Sequence, residues 1–364
     1  MFMMEFSGVR TADKRFVSGL LLGLWLTVAG AVVAAAGTAS QPAIDKGDAS
    51  GEADTVTPRV PVFKPRGDLA GELAVYTTRY EETFAGIGER LSLGYLELAK
   101  ANPGVDPWLP GDGTRVVLPR HYVLPDGERE GIVINLAEYR LYYFTEQGVQ
   151  VYPVGVGTDE NPSPLTDARV TMPLESPAWY PPASIRAEYE AAGDYLPRVI
   201  PPGPENPLGS HALMLSEDGY LIHGTNKQFG VGTQVSHGCF RMYNEDISRF
   251  VRMVSKGTPV RIIREPVKVG VSDGEVWLEV HRPKEEYSAA ERKALWQQTM
   301  QKVAELQQRY PGVEVKRRAI ELAVDRGDGL PRMIGERLAR VASEQPMGPA
   351  LPDETGKPSR QLLF

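Results

Sequence analysis

The chain contains one cysteine, Cys239, and the stretch around it, 222–245 (IHGTNKQFGVGTQVSHGCFRMYNE), concentrates residues that could do chemistry. His223 and His237 are two of the five histidines, and His237 lies two residues before the cysteine. A thiol is a strong nucleophile only as thiolate, which needs a nearby base or a positive environment. Gly238 directly precedes Cys239 and lets the backbone turn tightly, so a substrate carbonyl can approach main-chain N–H groups. The amides of Gly238 and Cys239, with His237, are the natural donors for a tetrahedral oxyanion. Arg241 is a fixed positive charge suited to a carboxylate. The competing readings are a buried, inert cysteine and a metal site built from Cys239, His237 and His223. Zinc usually takes three or four ligands at a more regular spacing, so neither metal nor cofactor is expected.

These residues must be held by strands. Residues 221–223 read as the end of one strand, presenting His223 rigidly. Upstream, GIVIN at 131–135, RLYYF at 140–144 and a run at 149–154 are short β-branched and aromatic segments with turn breaks, the pattern of antiparallel hairpins. The stretch 177–207 is dense in proline and aromatics and too long for a plain connection; it reads as a flap over the site.

His223-Gly224 followed, thirteen residues on from His223, by Ser236-His237-Gly238-Cys239 resembles the active-site signature of the L,D-transpeptidases with a YkuD-type catalytic domain. INLAEYRLYYF resembles the opening hairpin of that domain, and the HGTN of 223–226, Arg241, the NEDI of 244–247 and the flap text AEYEAAGDYLP and GPENPLG resemble its ErfK/YbiS branch. The resemblance implies a β-sandwich or open barrel over 130–282. It implies that His223 is the base, its second ring nitrogen held by the Gly224 carbonyl, and that His237 supports the thiolate. Arg241 and Asn226 would hold the donor, while Ser236 would hydrogen-bond the loop and lie among the substrate contacts. The implied donor is a peptidoglycan tetrapeptide stem, cleaved after diaminopimelate with loss of D-alanine. The acceptor would be the C-terminal lysine of an outer-membrane lipoprotein; a second stem (a 3→3 cross-link), water, or a catalytically dead wall-binding protein are the alternatives. Carbapenem sensitivity comes with the family.

The remaining chain is consistent with an exported enzyme. Net charge is −7, which argues against nucleic acid. Residues 1–39 carry Arg10, Lys14 and Arg15 before an apolar run ending in alanines, a signal peptide or, if uncleaved, a membrane anchor. Residues 40–66 read as a flexible tether. Residues 67–120 predict strand, helix, helix, strand, and with the ANPGVD of 101–106 they resemble a LysM module, which implies binding to peptidoglycan glycan. Residues 283–364 predict a helical extension, with helices over 288–310, 316–326 and 331–342, and a disordered tail from Pro346. The fold class is thus α+β, mainly β.

Overall fold

Short runs of β-branched and aromatic residues dominate the chain, and most become strands. The computed structural model describes residues 60–282 and 287–338. The expected leader, most of the tether and the tail from Pro346 lie outside them. No helix among the described residues is long and apolar enough to cross a membrane.

The first unit contains β1 (Leu69–Gly71), β2 (Ala74–Thr77), α1 (Phe84–Leu91), α2 (Tyr95–Ala101), β3 (Arg115–Leu118) and β4 (His121–Val123). β2 pairs antiparallel with β3, and the two helices close over them around Phe84, Ile87, Leu93, Leu98 and Val116. Thr83 caps α1 by accepting from the Gly86 amide. The strand, helix, helix, strand order expected for this stretch is present.

The second unit carries β5 (Gly131–Asn135), β6 (Arg140–Thr145), β7 (Gly148–Pro153), β8 (Val156–Gly157), β9 (Asp167–Glu175), α3 (Ala183–Ala191), β10 (His211–Leu215) and β11 (Leu221–His223). It continues through a 3₁₀ turn (Gln228–Gly230), β12 (Gln234–Ser236), β13 (Phe240–Arg241), α4 (Asn244–Met253) and β14 (Pro259–Ile263). Eight strands form one mixed sheet in the order β13-β11-β10-β9-β14-β5-β6-β7. Its two ends meet: Gly155, just past β7, exchanges backbone hydrogen bonds with Arg241 of β13 at 2.8 and 2.9 Å. The sheet therefore curls into a nearly closed barrel. Its interior holds Ile132, Ile134, Leu141, Val170, Leu213, Ile222 and Phe240, plugged by Ile247 and Phe250 of α4.

The third unit departs from expectation. Residues 331–342 were expected to be helical, with Pro331 at the first helical position. Instead β18 (Arg332–Arg337) completes a sheet in the order β15-β16-β18-β17, formed with β15 (Val267–Ser272), β16 (Glu275–Val280) and β17 (Val313–Val315). Ile334 is buried and Gly335 lies against the β17 backbone, where a Cβ would come 2.8 Å from Val315 Cα; this pairing overrides local propensity. Residues 267–280, placed by sequence in the catalytic unit, thus belong to the C-terminal sheet. α5 (Ala289–Arg309) and α6 (Arg317–Arg326) cover that sheet, as the helices expected there. The extension is an antiparallel α+β unit rather than helical.

Residues 60–66 also correct the sequence reading. Val60 is buried, Phe63 bridges to Val149, and Gln150 donates to the Val60 carbonyl at 3.0 Å. This end of the expected tether docks on β7.

Candidate active site

His223 ends β11, as its sequence context predicts, and is buried. Its Nδ1–H donates to the Gly224 carbonyl at 2.6 Å. That bond fixes the tautomer and leaves Nε2 as the lone-pair nitrogen. Gly224 must be glycine here, because a Cβ would collide with Asn244 Oδ1. Asn244, the first residue of α4, clamps the next residue: Oδ1 accepts from the amides of Thr225 and Ser210, both at 3.1 Å, and Nδ2 donates to the Thr225 carbonyl at 2.7 Å.

Cys239 stands just before β13, which runs parallel to β11 with Ile222 opposite Phe240 and His223 opposite Arg241. Side chains two apart on a strand share a face, so Cys239, Arg241 and His223 converge on one side. The Sγ–H donates to the Gly219 carbonyl at 3.5 Å, and the thiol is half-buried. Burial raises the thiol's pKa, opposed by the Leu221 amide and the Arg241 charge. The same burial, with Arg241, lowers His223 to about 4, against the Gly224 hydrogen bond. The resting pair is therefore neutral thiol and neutral imidazole.

The loop carrying the thiol is tied by Ser236, whose hydroxyl donates to the Cys239 carbonyl at 2.6 Å and accepts from the Gly238 amide at 3.1 Å. Ser236 is buried and serves the loop. Gly238 adopts φ +104°, and a Cβ there would come 2.9 Å from the Tyr220 ring. Its carbonyl accepts from Ser163 Oγ at 2.8 Å, which itself accepts from the Gly157 amide at 2.9 Å. The Gly238 amide, expected as an oxyanion donor, is thus occupied. The amides of His237 and Cys239 have no acceptor among the described residues.

Two of the expected positions make contacts with the flap. His237 is exposed, its Nε2 3.0 Å from Glu188 of α3, and so ties the flap to the thiol loop. Asn226 is exposed and donates to the Glu205 carbonyl at 3.1 Å, in the flap's base. Arg241 is half-buried, and its Nε is a buried donor with no acceptor among the described residues, an opening for an anionic group.

The flap of 177–207 is a stapled loop bearing α3. Trp179 and Ile200 exchange backbone hydrogen bonds at 2.9 and 2.8 Å. Below them the fully buried Asn206 donates to the carbonyls of Pro177, Ile200 and Pro201 at 2.8, 3.2 and 3.1 Å. Asn206→Ala is expected to cost about 1–3 kcal/mol through the Pro177 and Pro201 carbonyls left unpaired. It should also open residues 177–207 to limited proteolysis while the barrel stays resistant; an unchanged cleavage pattern would show the staple to be dispensable. Sequence reasoning did not single out Asn206, Ser163, Tyr220 or Glu188, because each acts on a residue distant in the chain.

As for metals, Glu138, Glu279 and His281 bring ligand atoms within 4.8 Å of one another. The two carboxylates are already paired with Lys268 and Arg140, so the cluster is a charge network.

Residues 129–262 match the YkuD family, the L,D-transpeptidase catalytic domain. The chain is 44% identical over 204 residues to "Probable L,D-transpeptidase YcfS" of Escherichia coli K12, covering 54% of this chain and 64% of the relative. It is 46% identical over 195 residues to "Probable L,D-transpeptidase YbiS" of the same strain, covering 52% and 63%. It is 41% identical over 212 residues to "Probable L,D-transpeptidase ErfK/SrfK", also of K12, covering 57% and 67%. The match spans just under two thirds of the length of the first two relatives. The chain belongs to the L,D-transpeptidase family.

Proposed function

We propose that this chain is an exported L,D-transpeptidase acting in the cell envelope, with Cys239 as nucleophile and His223 as base. The observation that carries the reading is the Nδ1–H bond from His223 to the Gly224 carbonyl, which leaves Nε2 free on the face shared with Cys239. Nε2 takes the thiol proton as sulfur attacks the carbonyl following the L-centre of diaminopimelate in a tetrapeptide stem. The C–N bond to D-alanine breaks, the proton passes from His223 to the leaving amine, and a thioester remains on Cys239. An acceptor amine then gives its proton to His223 and displaces the sulfur. The free amides of Cys239 and His237 are the oxyanion donors; one such donor is worth about 2.7–4 kcal/mol in comparable sites. Arg241, with its unpaired Nε, receives the donor carboxylate.

The acceptor in this reading is the C-terminal lysine of an outer-membrane lipoprotein. A second stem would instead give a 3→3 cross-link and water a hydrolysed stem, and the three products differ in mass. The βααβ unit is the LysM-like glycan contact, with Tyr80, Trp108 and Leu109 exposed on its surface. The site of action is the periplasm.

The test is mass spectrometry of the full-length chain mixed with a carbapenem, beside Cys239→Ala. One drug adduct on wild type and none on the variant is expected. A folded wild type that takes no adduct would exclude this mechanism and leave a wall-binding protein.

A further inference from the structure

The βααβ unit grips the loop between His223 and Cys239. The Tyr95 ring of α2 lies 4.9 Å from Phe229, and Trp108 stacks on Phe229 at 5.3 Å with 23° between the planes. Tyr95 and Trp108 are themselves 5.9 Å apart. Gly94 faces Gly232 so closely that a Cβ on Gly232 would lie 2.5 Å from Gly94 Cα. Beneath, Tyr243 donates its hydroxyl proton to the Leu93 carbonyl at 3.0 Å, and Ser92 donates to Asp246 at 2.7 Å.

Phe229 is well placed to transmit this grip. It is the only large apolar side chain between His223 and Val231, in a stretch that also contains Gly224 and Gly230. Its neighbour Gly230 borders Arg241: a Cβ there would lie 3.7 Å from Nη1. Gly230 also accepts from the Thr233 hydroxyl at 2.9 Å, which closes the turn leading to β12. The path from Tyr95 and Trp108 thus runs through one ring and one backbone unit to the guanidinium beside the thiol. Trp108 and Phe229 remain 57% and 47% exposed, so these two rings lie outside the core, whereas Tyr95 also packs on the core of the βααβ unit.

We infer that Tyr95, Trp108 and Phe229 form an aromatic lock through which the βααβ unit positions the thiol loop and Arg241 for acylation. The three are positioning residues and touch no reacting atom. The unit is thereby part of the catalytic apparatus as well as a wall contact. This inference rests on Cys239 being the reacting thiol. Geometry of this kind matters because misplacement by about 1 Å can cost 10²-fold in rate.

The test uses the full-length chain with Phe229→Ala, Tyr95→Ala, the double variant and Phe229→Tyr. Two rates are followed: acylation by a carbapenem, and alkylation of the single thiol by iodoacetamide across pH. Each alanine variant is expected to slow acylation about 10- to 100-fold; Phe229→Ala should do so with little change in thermal midpoint, while Tyr95→Ala, whose ring also packs on the unit's core, should lower it. The alkylation profile should move to higher pH as Arg241 leaves the sulfur. The double variant should be no slower than the slower single, because both break one contact, and Phe229→Tyr should react near the wild-type rate. If Phe229→Ala does not fold, Trp108→Ala, which truncates an exposed ring, carries the same expectations. Wild-type acylation and an unmoved alkylation profile in the alanine variants would overturn the lock. A wild type inert to carbapenem would defeat the proposed function instead, and the alkylation profiles would still decide whether the rings position the thiol.

Discussion

Replacing His223 with glutamine is expected to slow acylation of Cys239 by about 10²–10⁴-fold, the usual contribution of a positioned general base. The structure gives this residue a specific task. With Nδ1–H committed to the Gly224 carbonyl, only Nε2 can take a proton. Burial keeps the thiol protonated at neutral pH, so sulfur cannot attack until a base relieves it. Glutamine fills similar space but cannot accept and return the proton.

The pH dependence follows from the same environment. Burial and Arg241 lower the imidazole from its ordinary value to about 4. The ring therefore stays neutral, and competent as a base, well below the ordinary histidine range near 6.5. The acid limb of the acylation rate should fall near pH 4. Stability carries the matching sign: between about 6.5 and 4 the unfolded chain binds a proton that folded His223 refuses, so this residue's contribution declines as pH falls through that window. An acid limb at 6.5 in the rate profile would mean that the ring is exposed to water, contrary to its burial.

Most of the candidate site could be proposed from the sequence because its signal is local. His223 at a strand end, glycine before cysteine and the spacing between them can be read along one continuous stretch, and the short β-branched runs announce the barrel strands. What escaped depends on distant pairs. Ser163 acts on Gly238, 75 residues away, and nothing near Ser163 marks it. Asn206 reads as one polar residue in a proline-rich loop until three carbonyls converge on it. His237 is expected beside the thiolate because it is close in sequence; that its exposed ring meets Glu188, 49 residues away, could not be read from the sequence. Residues 331–337 carry a helix-start signal in Pro331, but β16 and β17 offer unpaired strand edges on both sides. Pairing with them outweighs a propensity difference of less than about 1 kcal/mol per residue.

The same kind of long-range pairing ties the C-terminal sheet to the barrel. Lys268→Met is expected to destabilise the protein by about 3–5 kcal/mol at pH 7, because it leaves buried carboxylates undercompensated. Lys268 Nζ of β15 donates to Glu138 at 2.8 Å and to the Tyr142 hydroxyl at 2.9 Å, and lies 3.2 Å from Glu279. Arg140 joins the same carboxylates at 2.9 and 2.6 Å and reaches Glu97 of α2 at 2.9 Å. His281 meets Glu279 at 2.7 Å, and Glu279 also accepts from the Val123 amide at 2.7 Å. One network thus joins all three units. Burial alone would raise the pKa of Glu138 and Glu279, but Lys268, Arg140 and His281 hold both below the usual carboxylate value. In the wild type their contribution is therefore full above the unfolded pKa near 4.5 and is lost as pH falls through the lowered folded values. Without Lys268 the balance reverses. A carboxylate whose folded pKa rises above 4.5 costs stability at neutral pH, and protonation relieves that cost. The gap between wild type and Lys268→Met, measured by urea unfolding, should then narrow from pH 7 to pH 5. A gap that stays constant would mean that water reaches the cluster and screens its charges. A gap that narrows would show that the catalytic barrel depends on a cation supplied by the C-terminal sheet.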